Sequence, residues 1–323
     1  MNVCVNYTII GKTEKIIKIN KKTLVLGNGF DLDLGLKTRF SDFANSEYWP
    51  FKTVVKKGSL SSFLNKCRHL NEWFDLENSL ALFATSPQYA ALVKEDDVKE
   101  EFSLLIDSFM DYLEKEEREV CLNDNSVAAQ VLRCVLSNGM YENVYTFNFT
   151  NLKSIAEKLG IPLRRSVIHV HGSLEGRSAI IGFNESENAL PKLGFMYKTF
   201  NRNYKSNSLR HDLSDSQEIV IFGHSLGNID YSYFDNMFLS LVKDSKDSIN
   251  KRKVTIFTYD DKSRLEIMVQ LRNMNERKTE LLYGFNDFNV ICTDGSDEQK
   301  VNEFIEYQRK NTREKTAITN FII

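Results

Sequence analysis

Four short motifs hold most of the side chains able to do chemistry: Gly27–Asp31 (GNGFD), Thr146–Leu152 (TFNFTNL), His169–Leu174 (HVHGSL) and Phe222–Asp230 (FGHSLGNID). A glycine-rich turn lets the backbone come close to a phosphate or a ribose, because glycine accepts positive φ and has no side chain in the way. The amide of Asn148 both donates and accepts hydrogen bonds, which suits orienting a ribose hydroxyl or an attacking water. Its other reading is a cap for the helix that begins near Thr150. His171 stands before Gly172 at a strand end, and an imidazole with an unperturbed pKa of ~6.5 exchanges protons near neutral pH. His169 and His171 alternate with Ile168 and Val170 and so face the same side of the strand, and His169 is expected to pack and hydrogen-bond within the sheet.

Each motif also has a plainer reading. In GNGFD, Gly27 and Gly29 fit the dinucleotide fingerprint, but Leu32 stands where its third glycine belongs. The turn therefore points to a nucleotide-sized ligand, or to a tight structural turn, without establishing a dehydrogenase-type site. Asp31 could receive ribose hydroxyls or cap the next helix. Gly223–Gly227 matches G-x-S-x-G behind the strand EIVIF, as a nucleophile elbow would. That hydrolase order needs a histidine after the serine, and the histidines at 69, 169, 171, 211 and 224 all precede Ser225. Ser225 then reads as a ligand-binding hydroxyl in a strand-to-helix turn. Asp31, His171, His224 and Asp230 match no compact metal-ligand spacing, so no metal is expected. Tyr231, Tyr233 and Phe234 are expected to pack, with a flank for a base as the alternative.

The elements that must position these motifs are short apolar runs separated by long helix-compatible stretches. Core strands are expected at Lys22–Leu26, Asn143–Phe147, Ser166–Val170, Glu218–Phe222, Val254–Thr258 and Phe288–Cys292. Such alternation predicts an α/β fold, a Rossmann-type and mostly parallel sheet flanked by helices. In an open parallel sheet the carboxyl ends of the strands share one edge, so four motifs at four strand ends should converge on one pocket. Between the first two strands, Ser61–Leu136 reads as helical, with Trp73, Leu76 and Leu80, and then Leu105, Phe109, Tyr112 and Leu113, at helical spacing. We read residues 52–140 as a helical insertion in one domain of residues 1–323, and 296–323 as a C-terminal extension. The N-terminal segment ahead of Lys22 reads as a small hairpin or extension, and the apolar end TNFII as docked or frayed.

Composition narrows the function classes. A net charge of −2 and a pI near 6.3 argue against a broadly basic nucleic-acid surface. Cys4, Cys67, Cys121, Cys134 and Cys292 are odd in number and contain no C-x-x-C pair. That spacing excludes a zinc ribbon and favours free thiols in a reducing cytosol. No apolar run approaches the ~18–20 residues of a membrane span, so the expectation is a soluble cytoplasmic protein.

LVLGNGFDLDLGLKTRFSDF, the WFDLE segment, TFNFTNL, VHGSL and IFGHSLGNIDYSYF, in that order from about Lys22 to Tyr259, resemble the bacteriophage abortive-infection AbiH family. That motif order is similar in turn to a divergent sirtuin-like NAD-binding fold with a helical insertion. The wider pattern G-A-G-x-S falls on Gly27, Asn28, Gly29, Phe30 and Asp31, and T-x-N-x-D falls on Thr146–Thr150. This implies Asn148 as the catalytic asparagine and, from an H-G pair, His171 as the general base. G-x-S falls on Gly223, His224 and Ser225, which would line ribose and phosphates. With Thr146 and Asp230 these make the implied ligand-binding set. Asn28, Asp31 and Thr150 depart from the pattern's alanine, serine and aspartate. The zinc-ribbon cysteines of deacetylating sirtuins are absent, which disfavours a protein deacetylase.

The resemblance implies anti-phage defence, with NAD or a related nucleotide as ligand and hydrolysis of its nicotinamide–ribose bond as the reaction. A phage-derived trigger and self-association are compatible with it; a membrane partner is not expected. Two rivals stand beside this reading. One is a nucleotide sensor without catalysis, and the other a metal-dependent phosphoesterase or nuclease using Asp31, His171 and His224.

Overall fold

Six parallel strands form one sheet in the order β3-β2-β1-β4-β5-β6: β1 Lys22–Leu26, β2 Asn143–Thr146, β3 Val167–His169, β4 Glu218–Phe222, β5 Lys253–Thr258 and β6 Asp287–Cys292. The computed structural model describes residues 21–52, 59–70, 75–90, 92–136, 139–243 and 251–322. The expected N-terminal hairpin and Trp73 lie outside the described residues. Each strand falls within a residue of its sequence-based expectation, because short runs of Val, Ile, Leu and Phe buried on both faces are the plainest signal of a central parallel strand. The expected α/β, Rossmann-type sheet is borne out.

Alternation along β1 divides the core. Leu24 and Leu26 face the layer of α1 (Asn28–Asp33), α7 (Val127–Leu136), α8 (Leu152–Lys158) and α13 (Glu298–Ile322), where Phe30, Val131, Ile155 and Phe304 pack. Val25 faces the opposite layer of α9 (Leu209–Asp215), α10 (Tyr231–Lys243), α11 (Asp261–Met274) and α12 (Thr279–Phe285), with Leu213, Phe238, Leu271 and Leu282. The C-terminal segment is thus a helix whose Val301, Phe304 and Ile305 belong to the sheet's own core.

A second apolar cluster lies apart from the sheet layers. α2 (Phe40–Asn45), α3 (Leu60–Leu70), α4 (Leu76–Thr85) and α6 (Glu95–Glu119) contribute Phe43, Leu64, Phe83 and Phe109, and the loop after β3 contributes Phe183, Leu193 and Met196. The short α5 (Pro87–Ala90) follows α4. Fully burying each such side chain contributes roughly 1.5–3 kcal/mol. α7 instead packs in the sheet's cluster, and the Asp33 carboxylate accepts from Ala128 N at 2.7 Å at its first turn.

At the carboxyl edge, Leu26 pairs with Thr146 on one side and with Phe222 on the other. The strand order reverses direction at β1, so the crevice between the β1 and β4 turns is the topological switch point where open α/β sheets bind ligands.

Candidate functional site

A cavity of about 660 Å³ opens at this switch point, and residues of all four motifs line it. Its floor is a close contact between two glycine turns. Gly27 N donates to Phe222 O at 2.9 Å, and Gly29 N donates to Gly223 O at 2.8 Å. Gly223 has φ +67°, and a Cβ there would lie 2.3 Å from Phe30 N. A Cβ on Gly27 would lie 2.7 Å from Gly223 O. These glycines are required for the turns to meet. Since the N–H groups of Gly27 and Gly29 are both spent on the neighbouring turn, these two residues shape the cavity without offering donors to it.

Asn148 sits just beyond β2 and is held from several directions. Its Nδ2 donates to Gly27 O at 3.1 Å and to Asp31 Oδ1 at 2.7 Å. Its backbone N donates to Thr146 Oγ1 at 3.1 Å, and its carbonyl lies 3.0 Å from His169 Nδ1. A carbonyl can only accept, so Gly27 O fixes which end of the amide is nitrogen. Both amide hydrogens are then used, and Oδ1 is left as the acceptor. The helix cap is a different residue: Asn151 Oδ1 accepts from Lys153 N and Ser154 N at the start of α8.

Asp31 does not cap a helix either. It is 1% exposed within α1, and its second oxygen accepts from Thr150 Oγ1 at 2.7 Å. Burial pushes its carboxyl up to about 7, against the hydrogen bonds from Thr150 and Asn148, which favour the charged form.

The cavity's other wall is ionic. His171 follows β3 and is 6% exposed. Its Nε2 lies 3.2 Å from Asp230 Oδ1, and its Nδ1 lies 3.4 Å from Lys198 Nζ. A lysine ammonium only donates, so in this contact Nδ1 is the acceptor, while Nε2 and Asp230 Oδ1, though close, are both buried without a hydrogen-bond partner among the described residues. His224 accepts from Leu226 N through Nδ1 at 2.9 Å, which turns its Nε2 to Asp230 Oδ2 at 3.4 Å. Burial opposes the charge on Asp230, but His171 and Lys198 outweigh it and hold the carboxyl well below the usual carboxylate range. Lys198 is completed by Glu77 Oε2 at 3.0 Å, a residue of α4 that also lines the cavity. Burial raises the Glu77 carboxyl, against the nearby Lys198 charge. A second cavity, of about 700 Å³, adjoins at Asn228 and has Lys198 in its wall.

The profile of the family described as bacteriophage abortive infection AbiH matches residues 23–251. The chain belongs to the AbiH family. Comparison with curated proteins finds no match. The AbiH match covers more than two thirds of the chain, includes all four motifs, and makes this an anti-phage abortive-infection protein. Among the described residues, no helix is long and apolar enough to cross a membrane.

Within the AbiH segment, Gly27, Asn28, Gly29, Asp31, Asn148, His171, Gly223, His224, Ser225 and Asp230 line the one cavity. Two expected ligand contacts do not. Phe30 is 1% exposed and packs edge-on against Phe222 at 5.7 Å. Thr146 is buried and serves Asn148. His169 supports Asn148 from beneath, as expected of a sheet histidine. Positive φ in the GHSLG turn falls on Gly223 and Leu226, with Ser225 itself outside that region. Phe234 packs against Phe147 and His224, and Tyr231 and Tyr233 line the second cavity. Among the described residues, no group of three or more His, Cys, Asp or Glu could hold a metal ion. Sequence reasoning missed Glu77 and Lys198. Neither sits in a glycine-marked turn, and the one signal was WFDLE, whose glutamate is Glu77.

Proposed function

We propose that this AbiH protein binds NAD or a closely related nucleotide and hydrolyses its nicotinamide–ribose bond. One observation carries the reading: four strand-end motifs, scattered over two hundred residues, line a single cavity at the switch point of a parallel sheet. Its volume lies within the ~300–1,000 Å³ range of small-molecule sites. The sirtuin-like motif pattern adds NAD as the ligand.

The chemistry asks little covalent work of the protein. The leaving pyridine already carries positive charge, the transition state is oxocarbenium-like, and water supplies the oxygen that bonds to the anomeric carbon. Positioning and charge complementarity supply the rate. Asn148 Oδ1 accepts from a ribose hydroxyl or from the attacking water. His171 takes the water's proton on Nδ1, and Asp230, 3.2 Å from Nε2, stabilises the imidazolium. Lys198 faces that nitrogen in this structure, so it must turn fully to Glu77 before His171 can act. Ser225 is exposed in the cavity wall and serves as a ligand-contacting hydroxyl.

A second reading has its own support. The His171 ring is buried between Lys198 at Nδ1 and Asp230 beside Nε2, as suits a sensor that binds nucleotide and signals without turnover. Incubating pure protein with NAD separates the two: nicotinamide release supports hydrolysis, and saturable binding without release supports the sensor.

A further inference from the structure

The sequence pattern behind the NAD reading has serine where Asp31 stands and aspartate where Thr150 stands. This chain carries a carboxylate and a hydroxyl at those two positions in exchanged order, and the two side chains touch at 2.7 Å. Asp31 comes from α1 and Thr150 from the loop after β2, 119 positions apart in the chain. Both are 2% exposed or less. The exchange keeps the reach of the pair, because one side chain supplies one carbon more and the other one fewer. It also keeps the kind of bond, a hydroxyl against a carboxyl group, which once the carboxyl is ionised is stronger than a bond between neutral groups.

The carboxylate has a second task. Its other oxygen receives Asn148 Nδ2 at 2.7 Å, while Gly27 O takes the second amide hydrogen. The Asn148 amide is thereby fixed in both position and sense, and only its acceptor end is uncommitted. An amide without the Asp31 anchor would keep a single bond to Gly27 O and could rotate about its side-chain torsions. Misplacement of a group that orients a reactant by about 1 Å can cost on the order of 100-fold in rate.

We propose that Asp31 and Thr150 are positioning residues that act through Asn148: Thr150 locks the Asp31 carboxylate, and Asp31 locks the amide so that Oδ1 addresses the ligand. The proposal rests on Asn148 being a ligand-contacting residue of the NAD reading. It assigns to the pair no contact with the ligand itself.

The test is an exchange cycle of Asp31→Ser, Thr150→Asp and the double variant, with Thr150→Val as a shape-conserving control. Each purified protein is checked for native near-UV circular dichroism. Nicotinamide release gives kcat and KM, and plaque formation after phage challenge is scored in parallel. Each single variant is expected to lower kcat at least tenfold with KM within about threefold. The double variant is expected to recover to within about threefold of the parent, since contacting pairs couple strongly in such cycles. A folded double variant no better than the worse single, or a folded Thr150→Val with parental kcat, would overturn the proposal. Should the parent release no nicotinamide, the NAD reading fails alone. Plaque protection lost in the singles and regained in the double still supports the pair, and protection kept in both singles overturns it.

Discussion

The Thr150 hydroxyl donates to the Asp31 carboxylate across 2.7 Å, tying the loop after β2 to the helix after β1. Asn148, two residues before Thr150, donates to the other oxygen of the same carboxylate at 2.7 Å. Two strand ends are thus fastened by one buried carboxylate, directly beneath the cavity they help to line.

Asn148→Ala and His171→Ala should each abolish phage protection while leaving a folded protein. For His171→Ala the loss should fall on turnover, by about 10²–10⁴-fold, the usual worth of general acid–base catalysis. Nucleotide affinity should move much less. Asn148→Ala should lower both, because an amide that orients the ribose contributes to binding. Plaque counts with titration calorimetry check this, and full protection by both folded variants would remove the site.

Stability should depend on pH through Asp31. Burial raises its folded-state pKa to about 7 from an ordinary value of 3.8. Between those values the folded protein holds a proton that the unfolded chain has lost. The stability this group contributes is therefore complete below about pH 4 and disappears as pH rises through about 7. Asp31→Asn keeps the size and a hydrogen-bonding set but never ionises. Its unfolding free energy relative to the parent should rise between pH 5 and pH 8, by on the order of 2 kcal/mol. Urea denaturation at the two pH values measures it, and an unchanged difference would contradict the assignment.

Lys198 is 3% exposed and serves Glu77, His171 and Asp230 together. Lys198→Met leaves two carboxylates in a buried wall without their cation, which should cost about 3–5 kcal/mol. Adding Glu77→Gln should return part of that loss. Denaturant midpoints check it, and equal instability in the single and double variants would count against the charge network.

The strands were legible because buried parallel strands are short, continuous apolar runs, as EIVIF at Glu218–Phe222 illustrates. Convergence of the motifs followed from topology alone, and Asn148 and His171 do share a cavity. Phe30 belongs to the expected ligand set by its place in a motif, yet the turn of the short helix α1 carries it into the core against Phe222. The Asp31–Thr150 bond was hidden because the two positions appeared as separate departures from a pattern. Lys198 was hidden for another reason. Its 3₁₀ segment, Lys198–Phe200, lies in a long loop whose course is set by packing of Phe183 and Met196 against the helical cluster.

Gly223→Ala should destabilise strongly. Its φ of +67° disfavours any side chain, and the added methyl would meet Phe30 N at 2.3 Å, where only backbone can yield. A cost above about 2 kcal/mol is expected, in the range of backbone strain plus overpacking. Thermal unfolding checks it, and a parental melting temperature would show that the two turns are not fixed against each other.

The most direct measurement follows nicotinamide released from NAD by the pure full-length protein, with and without EDTA, beside Asn148→Ala. The account predicts release that is indifferent to EDTA and lost in Asn148→Ala. Saturable NAD binding without release by the parent, in lysate taken after phage challenge as well as in buffer, would contradict hydrolysis and leave the sensor reading in its place.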